Sequence, residues 1–230
     1  FNSQAKEIPY IDLGDNLVTG VDRNDTHNVQ SILLKGEHSD SRGKFGITGL
    51  MRAAIRNNAA MAELLIKNGA DVNSSDYGGA TPLHLATRFN SQKVIGLLLE
   101  AEASVTIADN DGWTPLMLAL KQKQYQLVKL YSQKLYDKNH LIKHKNFEGQ
   151  STVSLALSTN SLEIIKQVLL QLKPEDLNKE LVLYSSQRNP EITKWLDDYF
   201  TNNLKSTKQM QQQKLKQDDE FLPKIRFKQK

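Results

Sequence analysis

The sequence predicts an all-α fold, helix–turn–helix repeats stacked into a solenoid, and three observations carry that prediction. The segment Thr81-Pro82-Leu83-His84-Leu85-Ala86 returns as Thr114-Pro115-Leu116-Met117-Leu118-Ala119, 33 residues later. Stepping back by the same distance reaches Thr48-Gly49-Leu50-Met51-Arg52-Ala53, and a fourth copy, Ser151-Thr152-Val153-Ser154-Leu155-Ala156, lies 37 residues after Thr114. Apolar residues then recur at helical spacing, as Leu83, Leu85 and Ala86 and again as Val94, Ile95, Leu97, Leu98 and Leu99. Two helices this short cannot bury their apolar faces alone, so neighbouring units must share one core.

Each copy reads as a turn, a first helix, a second helix and a loop containing Gly or Asn. Thr81-Pro82 and Thr114-Pro115 are helix starts, because threonine caps a helix N-terminus and proline at the first helical position forfeits no hydrogen bond. The step from 33 to 37 residues places a four-residue insertion between Ser132 and His144. Four repeats follow at 43–75, 76–108, 109–145 and 146–173. Before them, Val29-Gln30-Ser31-Ile32-Leu33-Leu34-Lys35-Gly36 matches a second helix with its closing glycine, and Gly36 stands 33 residues before Gly69. A degraded repeat is therefore placed at 17–42, preceded by an N-terminal segment, 1–16. A C-terminal cap is placed at 174–200, with helices around Leu181–Tyr184 and Pro190–Leu196 and with Trp195, Tyr199 and Phe200 covering the end of the stack. The repeat domain thus spans 17–200, and 201–230 is a basic polar tail.

Asp76-Tyr77-Gly78-Gly79-Ala80-Thr81-Pro82-Leu83-His84-Leu85-Ala86 resembles the start of an ankyrin repeat, and Leu64-Leu65-Ile66-Lys67-Asn68-Gly69-Ala70-Asp71-Val72-Asn73 resembles the end of one. The resemblance implies an ankyrin-repeat solenoid with β-turn fingers, atypical capping repeats and a non-catalytic role in binding a partner protein through fingertips and a concave groove. Departures from the pattern are Gly49 and Met51 in the first full repeat, Met117 in the third, and Glu102 where Gly69 stands in the preceding repeat. The Glu102 loop is expected to be strained or differently shaped, since glycine is preferred where the backbone turns left-handed after a helix.

Composition narrows the function classes. Hydrophobic residues make up 39% and charged residues 24%, with no apolar run near the roughly 18 residues of a membrane span. Cysteine is absent, which removes disulfides, thiol nucleophiles and thiolate metal sites and fits a reducing cytoplasm. The chain opens at Phe1 without a basic-then-apolar leader, so either no signal peptide exists or residue 1 is a cut. Net charge is +4, but residues 201–230 hold eight Lys or Arg against three acids, leaving 22 basic and 23 acidic groups in the first 200. A neutral body argues against a phosphate-binding surface and against nucleic acid as the partner.

Transfer of the family's variable positions gives fingertip candidates Lys44, Phe45 and Ile47; Tyr77 and Ala80; Asn110, Asp111 and Trp113; and Phe147, Glu148 and Gln150. Groove candidates are Ile55, Arg56, Arg88, Phe89, Lys121, Gln122, Ser158 and Thr159. One aromatic per finger, Phe45, Tyr77, Trp113 and Phe147, backed by Arg56, Arg88, Phe89 and Lys121, suggests an interface stripe for a segment with acidic and apolar residues. His84 resembles the structural histidine that joins turns in this family. His140 and His144 share a helical spacing but have no third ligand nearby, so neither a metal site nor a cofactor is expected, and no phosphate loop, nucleophile turn or zinc-hydrolase pattern is present. The insertion, with Tyr131, Tyr136, His140 and His144, is read as a packing accommodation.

Two short patterns mark the tail. Lys224-Ile225-Arg226-Phe227 resembles the docking motif for a type 1 serine/threonine phosphatase, with Lys224, Ile225 and Phe227 as the docking residues and a regulatory role as the implication. Asp218-Asp219-Glu220 ahead of a basic C-terminus resembles export signals on effectors of intracellular bacteria, which implies delivery to a host-cell cytoplasm. An accessory domain of a larger enzyme is the remaining alternative.

Overall fold

The computed structural model describes residues 13–135, 140–172, 176–177 and 189–202. The chain divides into two compact units, Phe1–Leu155 and Ala156–Lys230. Helices of the first unit come in pairs: α1 (Leu13–Asp22) with α2 (Thr26–Leu34), α3 (Gly49–Ile55) with α4 (Ala59–Lys67), α5 (Pro82–Arg88) with α6 (Gln92–Glu100), and α7 (Pro115–Lys121) with α8 (Tyr125–Gln133). A one-turn helix, α9 (His140–Lys143), follows, and α10 (Thr152–Ser158) runs across the boundary between units. No strand occurs among the described residues, and the pairing of extended backbone is limited to the bridges Arg42–Thr48 and Lys145–Ser151.

The first helices of the pairs, α1, α3, α5 and α7, pack on one another in chain order, and α4 packs on α6 behind them. Leu50, Met51, Leu83 and Met117 on the inner row and Met61, Leu65, Val94, Leu98 and Val128 on the outer row are fully buried. Each such side chain contributes about 2 kcal/mol relative to exposure, which a two-helix unit standing alone could not collect. The Thr-led starts hold at all three positions: α3, α5 and α7 begin directly after Thr48, Thr81 and Thr114. The departure at Gly49-Leu50-Met51 leaves this start intact. The Thr48 hydroxyl accepts from the Met51 amide at 3.3 Å, and the Met51 sulfur accepts from the Thr48 amide at 3.4 Å.

At the front, α1 begins at Leu13. The residue 33 before Thr48 is Asp15, so no Thr-Pro marks the start there.

Left-handed backbone punctuates the repeats in register. Between the helices of each pair stand Asn24, Asn57, Asn90 and Lys123, with φ of 56°, 52°, 53° and 58°. After each second helix stand Gly36, Gly69 and Glu102, at 92°, 82° and 61°. The Glu102 loop therefore keeps the shape of the glycine loops and carries the strain. Its closing bond from the Ala103 amide to the Leu98 carbonyl, 2.8 Å, matches that from Ala70 to Leu65, 3.0 Å. A left-handed residue with a Cβ costs about 1–2 kcal/mol, partly offset by the larger unfolded-state entropy of glycine. Glu102→Gly should thus raise stability by about 0.5–1 kcal/mol, read as a higher urea midpoint at unchanged slope.

Tyr131 sits in α8, fully buried, and its hydroxyl donates to Thr87 Oγ1 at 2.7 Å, while the Thr87 hydroxyl donates to the Leu83 carbonyl at 2.7 Å. Burial pushes the Tyr131 phenol well above its ordinary range. His140 and His144 stack with centroids 4.6 Å apart, and His144 Nε2 donates to the Gly112 carbonyl at 2.8 Å. Tyr136 lies outside the described residues.

In the second unit, α11 (Leu162–Leu169) and a helix over 190–202, α12, are described. Tyr199 on α12 donates from its hydroxyl to the carbonyls of Leu169 and Leu172, at 3.0 and 2.9 Å, and Phe200 is buried. Trp195 is half-buried, with the Lys166 ammonium 5.6 Å from its ring centre. The helix expected at 181–184 and the tail residues Lys224, Ile225 and Phe227 lie outside the described residues.

Candidate protein-interaction face

Each helix pair after the first is preceded by a turn, or finger, held by the same bonds. The amides of Gly43, Asp76, Asp109 and Asn146 donate to the carbonyls of Ile47, Ala80, Trp113 and Gln150 at 2.9, 3.0, 2.8 and 3.0 Å. In the second and third fingers a carboxylate locks the turn from inside. Asp76 Oδ1 accepts from the Gly78 and Ala80 amides at 2.9 and 2.8 Å, and Asp109 Oδ1 from Asp111 and Trp113 at 3.1 and 2.8 Å. Gly43 has no such group, and there Arg42 ties the first finger to the second by donating to the carbonyls of Gly46 and Ser75 and to Ser74 Oγ.

Consecutive fingers are linked by one backbone hydrogen bond each. The amides of Tyr77, Asn110 and Phe147 donate to the carbonyls of Phe45, Gly78 and Asp111 at 3.0, 2.9 and 3.0 Å. Gly46, Gly79 and Gly112 make that approach possible: all are left-handed, and a Cβ on them would stand 2.6–2.7 Å from Tyr77, Asn110 and Asn146 respectively. Neither this ladder nor the role of the glycines follows from the motif reading above. The signal was nonetheless in the sequence, as glycines at 46, 79 and 112 and then at 149, 37 residues on.

His84 joins the fingers to the helices. It is fully buried; Nδ1 accepts from the Thr81 amide at 3.0 Å, and Nε2 donates to the Trp113 carbonyl at 2.9 Å, which fixes the neutral Nε2–H tautomer. Burial lowers its pKa below the ordinary 6.5, against the raising effects of the Trp113 carbonyl and of Asp109. Because the folded value lies below the unfolded one, the unfolded chain binds the proton more readily. The His84 contribution is complete above pH 6.5 and is lost as pH falls from there towards the lowered folded value. Urea midpoints measured from pH 7.5 down to about pH 5 should fall, and His84→Met, the residue at the equivalent positions 51 and 117, should flatten that decline.

The expected interface residues separate into two groups. Phe45, Tyr77 and Phe147 are 71%, 72% and 82% exposed at the fingers, and Phe89, at the end of α5, is 52% exposed. Arg88, Lys121 and Asp111 are also exposed. Trp113 differs from the exposed row expected of it: it is 7% exposed, because it occupies the register of buried Ala80 and Lys121 Nζ lies 4.0 Å from its ring centre. Asn110 is exposed but braces two fingers, its side-chain amide donating to the Tyr77 carbonyl at 2.9 Å. Arg56 directs Nε and Nη2 to Asp22 Oδ1 at 3.2 and 3.0 Å, tying α3 to α1. Among the described residues no group of three or more His, Cys, Asp or Glu is placed to hold a metal ion.

Residues 17–109 match the family model for ankyrin repeats, in three copies. No curated protein matches the chain. No helix among the described residues is long and apolar enough to cross a membrane. Repeats of this family are general protein–protein interaction modules and typically lack catalytic activity. The matched segment spans the first three helix pairs, and beyond it the fourth pair repeats their finger bonds and left-handed turns; over residues 17–109 the chain is built of ankyrin repeats.

Proposed function

We propose that the repeat array binds another protein through the face formed by the fingers and the ends of α3, α5 and α7. The observation that carries this reading is the set of four large aromatic side chains, Phe45, Tyr77, Phe89 and Phe147, each more than half exposed. Single exposed apolar residues are ordinary, but aromatics held by hydrogen-bonded turns in neighbouring repeats lose little conformational freedom on contact, which suits them to anchor a partner. On this reading Phe45, Tyr77, Phe89, Phe147, Arg88, Lys121 and Asp111 meet the partner, and Arg56, Asn110 and Trp113 hold the surface in shape.

The test is capture of partner proteins from eukaryotic and bacterial lysates by the intact chain and by a Tyr77→Ala/Phe89→Ala/Phe147→Ala variant. The variant should keep the parent urea midpoint and lose the captured protein. Retention by the variant would move the binding site elsewhere. The tail readings are tested separately: phosphatase docking requires that Phe227→Ala abolish phosphatase capture, and the effector reading requires that deletion of 203–230 abolish export from a bacterial host. An adaptor role confined to the repeats requires neither.

A further inference from the structure

Over the second and third repeats the two edges of the interaction face carry opposite charge, whereas the first and fourth fingers carry Arg42, Lys44 and Lys145. At the finger edge of the second and third repeats stand Asp76, Asp109 and Asp111, with no Lys or Arg between residues 75 and 113 other than Arg88 and Lys93, which belong to α5 and α6. At the opposite edge, where the inner helices end, stand Arg56, Arg88, Lys121 and Lys123, and no acid occupies the turns 55–58, 88–91 or 121–124. A seven-residue helix separates the edges by about 10 Å.

The last-turn cations Arg88 and Lys121 are accounted for by the helix dipole, which favours positive charge at a helix C-terminus. Lys123 is not. It lies past the end of α7 at φ 58°, in the position that Asn fills in the other turns at 24, 57, 90 and 160. Asparagine tolerates the left-handed region and lysine does so at a cost, so a cation is retained there against the local backbone preference. The turn is also held next to the end of α5: Gln124 Nε2 donates to the Thr87 carbonyl at 3.0 Å and Gln122 Nε2 to the Arg88 carbonyl at 3.4 Å. Arg88, Phe89, Lys121 and Lys123 thus share one edge of two adjoining repeats, with Arg56 one repeat further on and already engaged by Asp22.

We infer that the partner presents an acidic segment of protein to this edge, its carboxylates on Arg88, Lys121 and Lys123 and an apolar side chain on Phe89, with the finger carboxylates setting which side faces which. The inference rests on the protein-binding reading above and supplies its partner chemistry. A nucleic acid fits less well, because a phosphate chain wide enough to span the face would meet the Asp76, Asp109 and Asp111 edge, whereas a peptide can carry charge on one side only.

The experiment uses the full chain with Trp195→Phe, which leaves Trp113, under Lys121, as the only indole. The probes are a fluorescein-labelled 20-residue peptide of Glu, Leu and Phe, the same peptide with Gln for Glu, and a single-stranded oligonucleotide of equal charge. The acidic peptide is expected to bind, to alter Trp113 emission as Lys121 is drawn off the ring, and to weaken about tenfold in an Arg88→Gln/Lys121→Gln/Lys123→Asn variant. Lys123→Asn alone restores the residue of the neighbouring turns, so weaker binding at equal or higher stability isolates the charge. The inference is overturned if the Gln peptide binds as well as the Glu peptide, if the charge variants bind unchanged, or if the oligonucleotide binds as tightly. Should the peptides fail while lysate capture still depends on Tyr77, Phe89 and Phe147, the charge assignment falls and the protein-binding reading stands.

Discussion

Trp113→Ala should be the most damaging single change at the interaction face, lowering stability by about 3–5 kcal/mol, the usual cost of truncating a buried Trp or Phe. The indole is 7% exposed beneath the Lys121 ammonium, and the backbone around it is a junction. The Trp113 amide donates to Asp109 Oδ1, and its carbonyl accepts from both the Asp109 amide and His84 Nε2. Tyr77→Ala and Phe147→Ala remove rings that are 72% and 82% exposed and should stay within about 0.5 kcal/mol of the parent. Urea denaturation of the three variants decides the matter. A Trp113→Ala loss below about 1 kcal/mol would mean that the indole is not part of the packed structure and would return it to the exposed row.

Gly112→Ala should cost about 3 kcal/mol, and Gly69→Ala about half of that. Both glycines are left-handed, at φ 80° and 82°, so each substitution meets the same backbone penalty. They differ in what a Cβ would touch. At Gly69 nothing lies within 4 Å, whereas at Gly112 the Asn146 Cα lies at 2.7 Å and the Lys145 carbonyl at 3.2 Å. Those are backbone atoms of the next finger, tied down by the Phe147-to-Asp111 bond, and cannot rotate away as a side chain would. Equal losses in the two variants would show that the fingers separate readily and that the ladder contributes little.

Much of the fold was legible because a repeat states its geometry several times. Thr48, Thr81 and Thr114 marked the starts of α3, α5 and α7, and the apolar spacing marked the paired helices behind them. Positions without that redundancy were read less well. At Asp15 the Thr-Pro marker is missing, and the first helix pair was legible only through its second helix and Gly36. The inter-helix turn was not recognised as left-handed, although Asn24, Asn57 and Asn90 repeat the same residue at the same interval. Among the site residues, aromatic identity was legible and exposure was not. Phe45, Tyr77, Trp113 and Phe147 each belong to a finger, but Trp113 alone shares the register of Ala80, and it is register within the turn that decides which side chain faces the core. Arg56 shows the same limit, since its partner Asp22 lies 34 residues away and no local pattern connects them.

The insertion before the fourth finger separates two quantities that the other repeats keep tied together, contour length and placement. Chain length between the third and fourth Thr/Ser starts grows from 33 to 37 residues, yet the bridge Lys145–Ser151 reproduces Arg42–Thr48 and Phe147 still docks on Asp111. Spacing between the third and fourth fingers is therefore set by their own contacts and not by the number of residues between them.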